Sequence, residues 1–190
     1  MKSFQSQKKV YANKDFQNHF EAVNNIIKNA EKKFSYHIED IILILDSVEL
    51  LTIDISLTKN LDRSTKINRL HDSLILELNQ IISSHYHKYY LSQVITDKCT
   101  LDDEKIFEEF PNDKIVYNNL KVDFKLICFP KMFINKIKDN FIKNNLNIIN
   151  IFCSSFIKSQ FYSKKLNKDK ISFLDIGLKR SSFIFFESVF

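Results

Sequence analysis

The stretch KISFLDIGLKRSSFIFFE, Lys170 to Glu187, decides the fold class of this chain. It predicts a buried apolar strand, a turn centred on Gly177, and a second strand from Phe183 to Phe186. Gly177 is the only glycine in the protein, and a residue without Cβ suits a strand-to-strand turn. Asp175 ends the first strand, a position from which an acid can hold a metal-bound phosphate. Spacing alone favours an ordinary hairpin in which Asp175 caps backbone amides.

Length and composition favour one domain of ordinary size or two small ones. The 190 residues are 44% hydrophobic and 13% aromatic, which provides a substantial core and is unlike a disordered chain. No apolar run approaches the roughly 20 residues of a spanning helix, and Met1–Tyr11 lacks a signal-peptide core, so a cytoplasmic protein is predicted. Cys99, Cys128 and Cys153 are odd in number and far apart, which predicts buried thiols rather than a disulfide framework or zinc site.

The net charge of +5 carries little functional weight. Lysines are spread along the whole chain, and of the 28 basic residues only Arg63, Arg69 and Arg180 are arginine. Phosphate and nucleic-acid sites favour the planar arginine fork and cluster their basic residues. The charge therefore predicts no nucleic-acid partner.

Apolar spacing predicts two amphipathic helices in the first half of the chain. Asp15 caps the first, which carries apolar residues at three- and four-residue steps from Phe16 to Phe34. The second runs from about Lys66 to Ile82. Its predicted inward positions are Ile67, Leu70, Leu74, Leu78 and Ile81.

Strands are predicted between and after these helices. Ile41–Leu45 is a run of branched residues typical of a strand covered on both faces. Val48–Leu57 alternates as a half-buried strand does, with a slip at Leu50–Leu51 that indicates a bulge or a change of strand. Tyr89–Thr96 and Asn119–Cys128 also have strand character. The acidic segment between them, Leu101–Pro111, is predicted as a loop with a solvated face rather than a cation site.

From Pro130 onward the predicted order is helix, strand, helix, strand, turn, strand, which is typical of α/β proteins. Pro130 suits the first turn of its helix. The predicted inward positions of that helix are Ile134, Ile137, Phe141 and Asn144. The next elements are a strand over Ile148–Cys153, a helix over Ser154–Lys165 and the strand Lys170–Ile176.

No pattern in the chain indicates catalysis. The sequence has no G-x-S-x-G, P-loop, C-x-x-C or H-E-x-x-H. His85 and His87 would point to one side of a strand, but no third metal ligand stands near them, so a surface role is predicted. Ser154 and Ser155 are explained as caps at a helix start. The chain is predicted not to be an enzyme, with no catalytic residue and no metal site.

Four segments matter together: AVNNIIKNAEKKFSYHIEDIILILDS (Ala22–Ser47), HKYYLSQVITD (His87–Asp97), NLKVDFKLICFPKMFINKIKDNFIKNNLNIINIFCSSFIKSQFY (Asn119–Tyr162) and FLDIGLKRSSFIFFE (Phe173–Glu187). In their order and spacing, from about Asn13 to Phe186, they resemble the FtsA family of bacterial cell-division proteins, which have the actin-like fold. The last is similar to the family's second phosphate loop, D-I-G-G-G-T.

The resemblance implies an α/β (α+β) fold, in which a partial actin-like (ribonuclease H-like) subdomain 1A carries an inserted strand-helix-strand subdomain 1C of the SHS2 type. Residues 1–46 would be the N-terminal part of 1A, 47–127 would be 1C, and 128–190 would return to 1A. In the family, 1C is a contact surface for self-association and for other division proteins. The whole protein binds ATP between its halves and tethers the tubulin-like protein FtsZ to the membrane.

Departures from the family pattern imply a degenerate nucleotide site. Asp175, Gly177 and Ser181 would form what remains of the second phosphate loop. The family's next residues, Gly, Gly and Thr, are replaced by Leu178, Lys179 and Arg180, and its second Asp by Ser182. These side chains crowd the approach of backbone amides to phosphate. The first phosphate loop and the C-terminal membrane helix have no counterpart. The resemblance thus implies no cofactor, with ATP and Mg only if missing segments complete the cleft, and no direct membrane anchor.

The expected function is an FtsA-like role in divisome assembly and FtsZ anchoring through protein–protein contacts, without ATPase activity. The expected partners are divisome proteins and further copies of the chain, contacted through 47–127. Two alternatives remain open. One is an actin-like nucleotide-binding protein completed by a second chain. The other is an RNA-binding α/β module that uses Tyr89, Tyr90 and Phe124, although their alternation favours packing in the core.

Overall fold

The computed structural model describes residues 16–60, 67–107, 110–111, 118–166, 170–176 and 181–187. Over these ranges the chain is mixed α/β, as predicted. The elements are α1 Phe16–Phe34, β1 Asp40–Leu45, β2 Leu51–Asn60, α2 Ile67–His85, β3 Tyr89–Leu101, β4 Lys105–Phe107, β5 Asn119–Pro130, α3 Lys131–Ile142, β6 Asn147–Cys153, α4 Ser154–Leu166, β7 Lys170–Ile176 and β8 Ser181–Glu187. Among the described strands, three sheets form: β1-β6, β2-β5-β3-β4 and β7-β8.

The chain divides into two compact units. The described residues of 1–42 and 135–150 form the first, and those of 43–134 and 151–190 form the second. The three ranges implied by the family resemblance, 1–46, 47–127 and 128–190, stay a prediction. No helix in the described ranges is long and apolar enough to cross a membrane.

In the first unit, α1 ends where the backbone turns left-handed. Ser35 has φ 51°, and the amide of Tyr36 donates to the carbonyl of Glu31 at 3.3 Å, which is the helix-closing bond typical of such an end. The Glu31 carboxylate accepts the Ile38 amide at 3.0 Å and lies 2.7 Å from Nδ1 of His37. The Ile38 hydrogen bond is the main cause that lowers the pKa of Glu31.

The second unit is built on α2, which packs on one face of the four-stranded antiparallel sheet. The predicted apolar stripe of α2 is confirmed at Leu70, Leu74 and Leu78, which are buried. The last inward residue is Ile82 rather than the predicted Ile81, because the four-residue step from Leu78 continues to the end of the helix. The buried sheet residues of this core are Cys99, Leu101, Leu120, Val122, Phe124, Leu126 and Cys128.

The other face of this sheet is polar along β2 and along β5 as far as Lys125; beyond it, Ile127 and Phe129 are buried. The predicted alternation of β2 is confirmed, since every second residue from Thr52 onward is exposed. The Lys125 ammonium donates to the Asp54 carboxylate at 2.7 Å, and the Ser56 hydroxyl donates to Asp123. Of the two alternatives predicted for the slip at Leu50–Leu51, the structure has a change of strand rather than a bulge: a turn at 48–49 precedes β2, which begins at Leu51.

Strand β1 corrects one prediction. It was predicted to be covered on both faces, but its burial alternates and Ile42 and Ile44 are 57% and 55% exposed. Among the described strands only β6 pairs with β1. The amide of Asn147 donates to the carbonyl of Glu39 at 2.7 Å where the two strands begin. A run of branched residues therefore has one covered face here, not two.

The segment predicted as an acidic loop contains strand. β3 continues to Leu101, and β4 returns antiparallel to it. The tight connection uses Asp102 and Asp103 at φ 47° and 59°. The Asp102 carboxylate accepts the amides of Asn118 and Asn119 at 2.9 and 2.8 Å. These acids therefore shape a turn, because Asp tolerates the left-handed region and bonds nearby amides.

Two smaller predictions are also wrong, and a third is confirmed. Pro130 is the last residue of β5, and α3 begins at Lys131. Asn144 lies beyond the end of α3 and is exposed, so it is not part of the inward stripe. His85 ends α2 and His87 lies in the following turn; both are exposed, which confirms the predicted surface role, and the two imidazoles are not aligned on a strand.

Candidate functional site

The predicted pair of strands around Gly177 is present as an antiparallel hairpin, β7–β8. Its register joins Ile176 to Ser181, Asp175 to Ser182 and Leu174 to Phe183. Gly177 and residues 178–180 lie outside the described residues, so the turn at Gly177 stays a prediction.

Two of the three predicted nucleotide-site residues lie on opposite faces of this hairpin. Asp175 is paired with Ser182, so these two side chains share a face, because directly opposite residues in a sheet point the same way. Ser181 lies on the other face, beside Ile176. Asp175 and the Ser181 hydroxyl therefore do not converge on one point in space. The site made of Asp175, Gly177 and Ser181 stays a prediction.

The Asp175 carboxylate is engaged by α4. The Lys158 ammonium lies 3.1 Å from one of its oxygens, and the Asp175 side chain is 25% exposed. This ion pair neutralises the acid that the sequence pointed to as a phosphate-site residue. Lys158 is the functional candidate that the sequence analysis missed, since nothing in the spacing from Lys158 to Asp175 indicates that they meet.

The hairpin face that carries Ser181 is apolar and exposed. Leu174 and Ile176 of β7 are 58% and 76% exposed, and Phe183 and Phe185 of β8 are 68% and 53% exposed. The prediction that β7 is a buried strand is therefore wrong for this face. α4 contacts the hairpin, and the residues of the opposite face, such as Phe173 and Ile184, are partly buried.

An open groove of about 570 Å³ lies beside the middle of β3. Its lining residues are Ser92, Gln93, Val94, Ile95, Thr96, His71, Phe110, Phe152, Phe156 and Gln160. They offer hydroxyls, amides, aromatic rings and one imidazole, with no carboxylate or ammonium among them. The His71 ring packs edge-on against Phe110 at 4.9 Å between centroids. A lining of this kind suits an uncharged ligand or peptide segment better than a phosphate.

A β-bulge shapes one end of the groove. The register of β3 on β5 shifts between Leu91 and Gln93, which leaves Ser92 as an extra residue. The Ser92 hydroxyl donates to the carbonyl of Ile151 at 2.6 Å, and the Gln93 amide oxygen accepts the amide of Cys153 at 2.7 Å. Bulges re-aim side chains in this way. No pattern in the sequence predicted the bulge at Ser92.

The three cysteines are free and buried, as predicted. Burial raises the pKa of Cys99 to about 11, with the Asp123 carboxylate adding to the effect. Burial alone raises the pKa of Cys128 to about 11. The Cys153 sulfur lies 3.3 Å from the hydroxyl of Ser155. Cys99 and Cys128 are therefore poor nucleophiles at neutral pH.

The aromatic residues of the RNA-binding alternative do not share one exposed surface. Phe124 is fully buried in the core under α2, and Tyr89 and Tyr90 are partly buried. Phe124 cannot stack on a base while it is packed there.

No group of three or more His, Cys, Asp or Glu side chains within the described ranges could hold a metal ion. No family model and no curated protein matches this sequence. What the molecule does is therefore inferred from its own residues and their geometry.

Proposed function

We propose that this chain is an FtsA-like cell-division protein that acts through protein–protein contacts in divisome assembly and FtsZ anchoring, without ATPase activity of its own. The observation that carries the proposal is the α2-covered sheet β2-β5-β3-β4. Its order, one strand, one helix and then three strands (β2, α2, β3, β4, β5), is compatible with the strand-helix-strand subdomain 1C that the resemblance implies over residues 47–127. In this proposal β1, β6 and the β7–β8 hairpin are parts of a partial actin-like subdomain 1A, and the protein is cytoplasmic.

The polar face of this sheet supports a role in contacts. Thr52, Asp54 and Ser56 of β2 are exposed, beside Lys125 of β5. In the described part of the chain, β2 pairs only with β5, so its outer edge presents backbone donors and acceptors. An open edge beside a polar face is a surface on which a second protein can add a strand. The mixture of charges favours a specific, salt-sensitive contact.

The ion pair of Asp175 supports the absence of ATPase activity. The acid of the degenerate phosphate loop is paired with Lys158, and the hydroxyl of Ser181 is on the other hairpin face. Neither ATP nor Mg is part of the proposed function.

Localisation and binding test the proposal together. The chain fused to a fluorescent protein should collect at mid-cell in dividing bacteria. The purified chain should bind FtsZ or another division protein from the same genome. Asp54→Lys places two ammonium groups together on the polar sheet face, and it should weaken that binding about tenfold. Asp72→Lys makes the same charge change on α2, where the side chain is 86% exposed, and it should have less than a twofold effect.

Diffuse fluorescence combined with no binding to any division protein would overturn the proposal. Equal losses of binding for the two charge variants would show that the polar sheet face is not the contact surface.

A further inference from the structure

We infer that the exposed face of the β7–β8 hairpin is a homodimer interface, on which a second copy of the chain docks face to face. This hairpin face carries four cross-strand rows, in which Lys170 lies opposite Glu187, Ser172 opposite Phe185, Leu174 opposite Phe183 and Ile176 opposite Ser181. Its four large side chains are each more than half exposed. Large apolar groups that stand side by side on one face mark interaction surfaces.

The chemistry of the hairpin face favours an identical partner. The six side chains of the last three rows are uncharged, and the first row pairs one lysine with one glutamate, so the face has no net charge. The whole chain has a net charge of +5, so two copies repel each other over most of their surfaces. A face without net charge is where that repulsion is weakest and where removal of apolar area from water is the dominant gain.

In the three uncharged rows, the side-chain sizes of one copy are complementary to those of a second copy. A two-fold axis parallel to the strands places each residue of β7 over the residue of β8 from the same row of the other copy. Phe185 then lies over Ser172 of the second copy, and Ile176 lies over Ser181. In the Ser172–Phe185 and Ile176–Ser181 rows a large side chain meets a small one, and in the row between them Leu174 meets Phe183. Interdigitation of this kind is what packs two sheets at about 10 Å.

The available area predicts a weak dimer. Four side chains of this size and exposure offer on the order of 500 Å² per copy, below the roughly 800 Å² per partner of a standard stable interface. We therefore expect dissociation in the micromolar range, visible as a rise in mass with concentration.

Sedimentation equilibrium over a range of concentrations tests the interface. Phe183→Ser should raise the dissociation constant about tenfold or more, because it removes the central aromatic side chain. Ile106→Ser is the matched control, since Ile106 is a strand residue of β4 that is 57% exposed outside the hairpin face. It should change the constant less than twofold. Circular dichroism and thermal unfolding of each variant establish that the monomer remains folded.

A charge-pair experiment tests the orientation. Ser172→Asp alone and Phe185→Lys alone should each abolish dimers, since each places a lone charge in the apolar contact. A mixture of the two variants should recover dimers, because Asp at 172 of one copy then faces Lys at 185 of the other.

Three outcomes would overturn the inference. They are a chain that stays monomeric at the highest concentration reached without precipitation, a dimer that Phe183→Ser leaves intact, and a mixture that fails to recover dimers. A dimer that survives Phe183→Ser would place the contact elsewhere, such as in 47–127. That result would contradict this inference while leaving the proposed divisome function untouched.

Discussion

The side-chain oxygen of Gln93 accepts a hydrogen bond from the backbone amide of Cys153 at 2.7 Å, and both residues are buried. This bond, with that of Ser92 to the carbonyl of Ile151, joins the bulge of β3 to the last residues of β6. Two side chains thus satisfy backbone groups of a strand that, among the described strands, pairs only with β1. Buried backbone groups need such partners, because an unpaired one is costly.

Gln93→Leu should lower the free energy of unfolding by about 1–3 kcal/mol, because the amide of Cys153 would stay buried without an acceptor. Urea unfolding followed by circular dichroism measures the change. Gln80→Leu is the matched control, since Gln80 is on the exposed face of α2, and it should stay within about 0.5 kcal/mol of the unmodified chain. Equal losses in the two variants would contradict the role given to this hydrogen bond.

Stability should fall between pH 9 and pH 11 because of the buried thiols. Cys99 and Cys128 have pKa values of about 11 when folded, against 9.0 for an unburied thiol. A raised pKa means that the folded state favours the neutral thiol. The neutral thiol therefore contributes its full stabilisation of the folded state below pH 9, and this stabilisation is lost as the pH rises toward 11. At pH 10 the loss is up to about 1.4 kcal/mol per thiol.

The thiol effect is isolated by comparing unfolding at pH 8, 9 and 10 for the unmodified chain and for Cys128→Ala. The variant is less stable throughout because of the cavity, but its free energy of unfolding should fall less steeply with pH. Parallel slopes for the two proteins would rule out the Cys128 thiol as a cause.

The helices were predictable because a single apolar stripe decides them. α1 and α2 have apolar residues at steps of three and four; the structure buries Leu70, Leu74 and Leu78 of α2 and partly buries the apolar face of α1. Whether one face or both faces of a strand are covered was less predictable. The branched run of β1 has the same sequence pattern whether one or both of its faces are covered. The three residues of β4 are too few to show any alternation.

The candidate site was predictable only as a segment. Spacing indicated the hairpin, but which side chains share a face depends on its register, and a shift of one residue moves every side chain to the other face. Asp175 and Ser181 therefore lie in adjacent rows of the hairpin, but their side chains are on opposite faces. The pairing of Asp175 with Lys158 depends on how α4 packs on β7, which no local pattern contains.

Ser35→Gly should raise the free energy of unfolding by about 0.5–1 kcal/mol. Ser35 has φ 51° at the end of α1, a conformation that costs energy for any residue with a Cβ and not for glycine. Thermal unfolding measures the gain. The same substitution at Ser83, inside α2, should instead lower stability by about 0.5–1 kcal/mol. Two changes of the same sign would contradict the assignment of the helix end.

The ion pair between Lys158 and Asp175 gives a test of the nucleotide question. Their side chains are 51% and 25% exposed, so a double-mutant cycle with Lys158→Ala and Asp175→Ala should give a coupling of about 0.2–1 kcal/mol. Calorimetric titration of the unmodified chain with MgATP should show no binding at micromolar concentrations. If Asp175 does hold a metal-bound phosphate, Lys158→Ala frees the carboxylate and should change the MgATP signal, and Asp175→Ala should remove it. We expect neither change, because the ion pair with Lys158 engages Asp175 in the contact between α4 and β7.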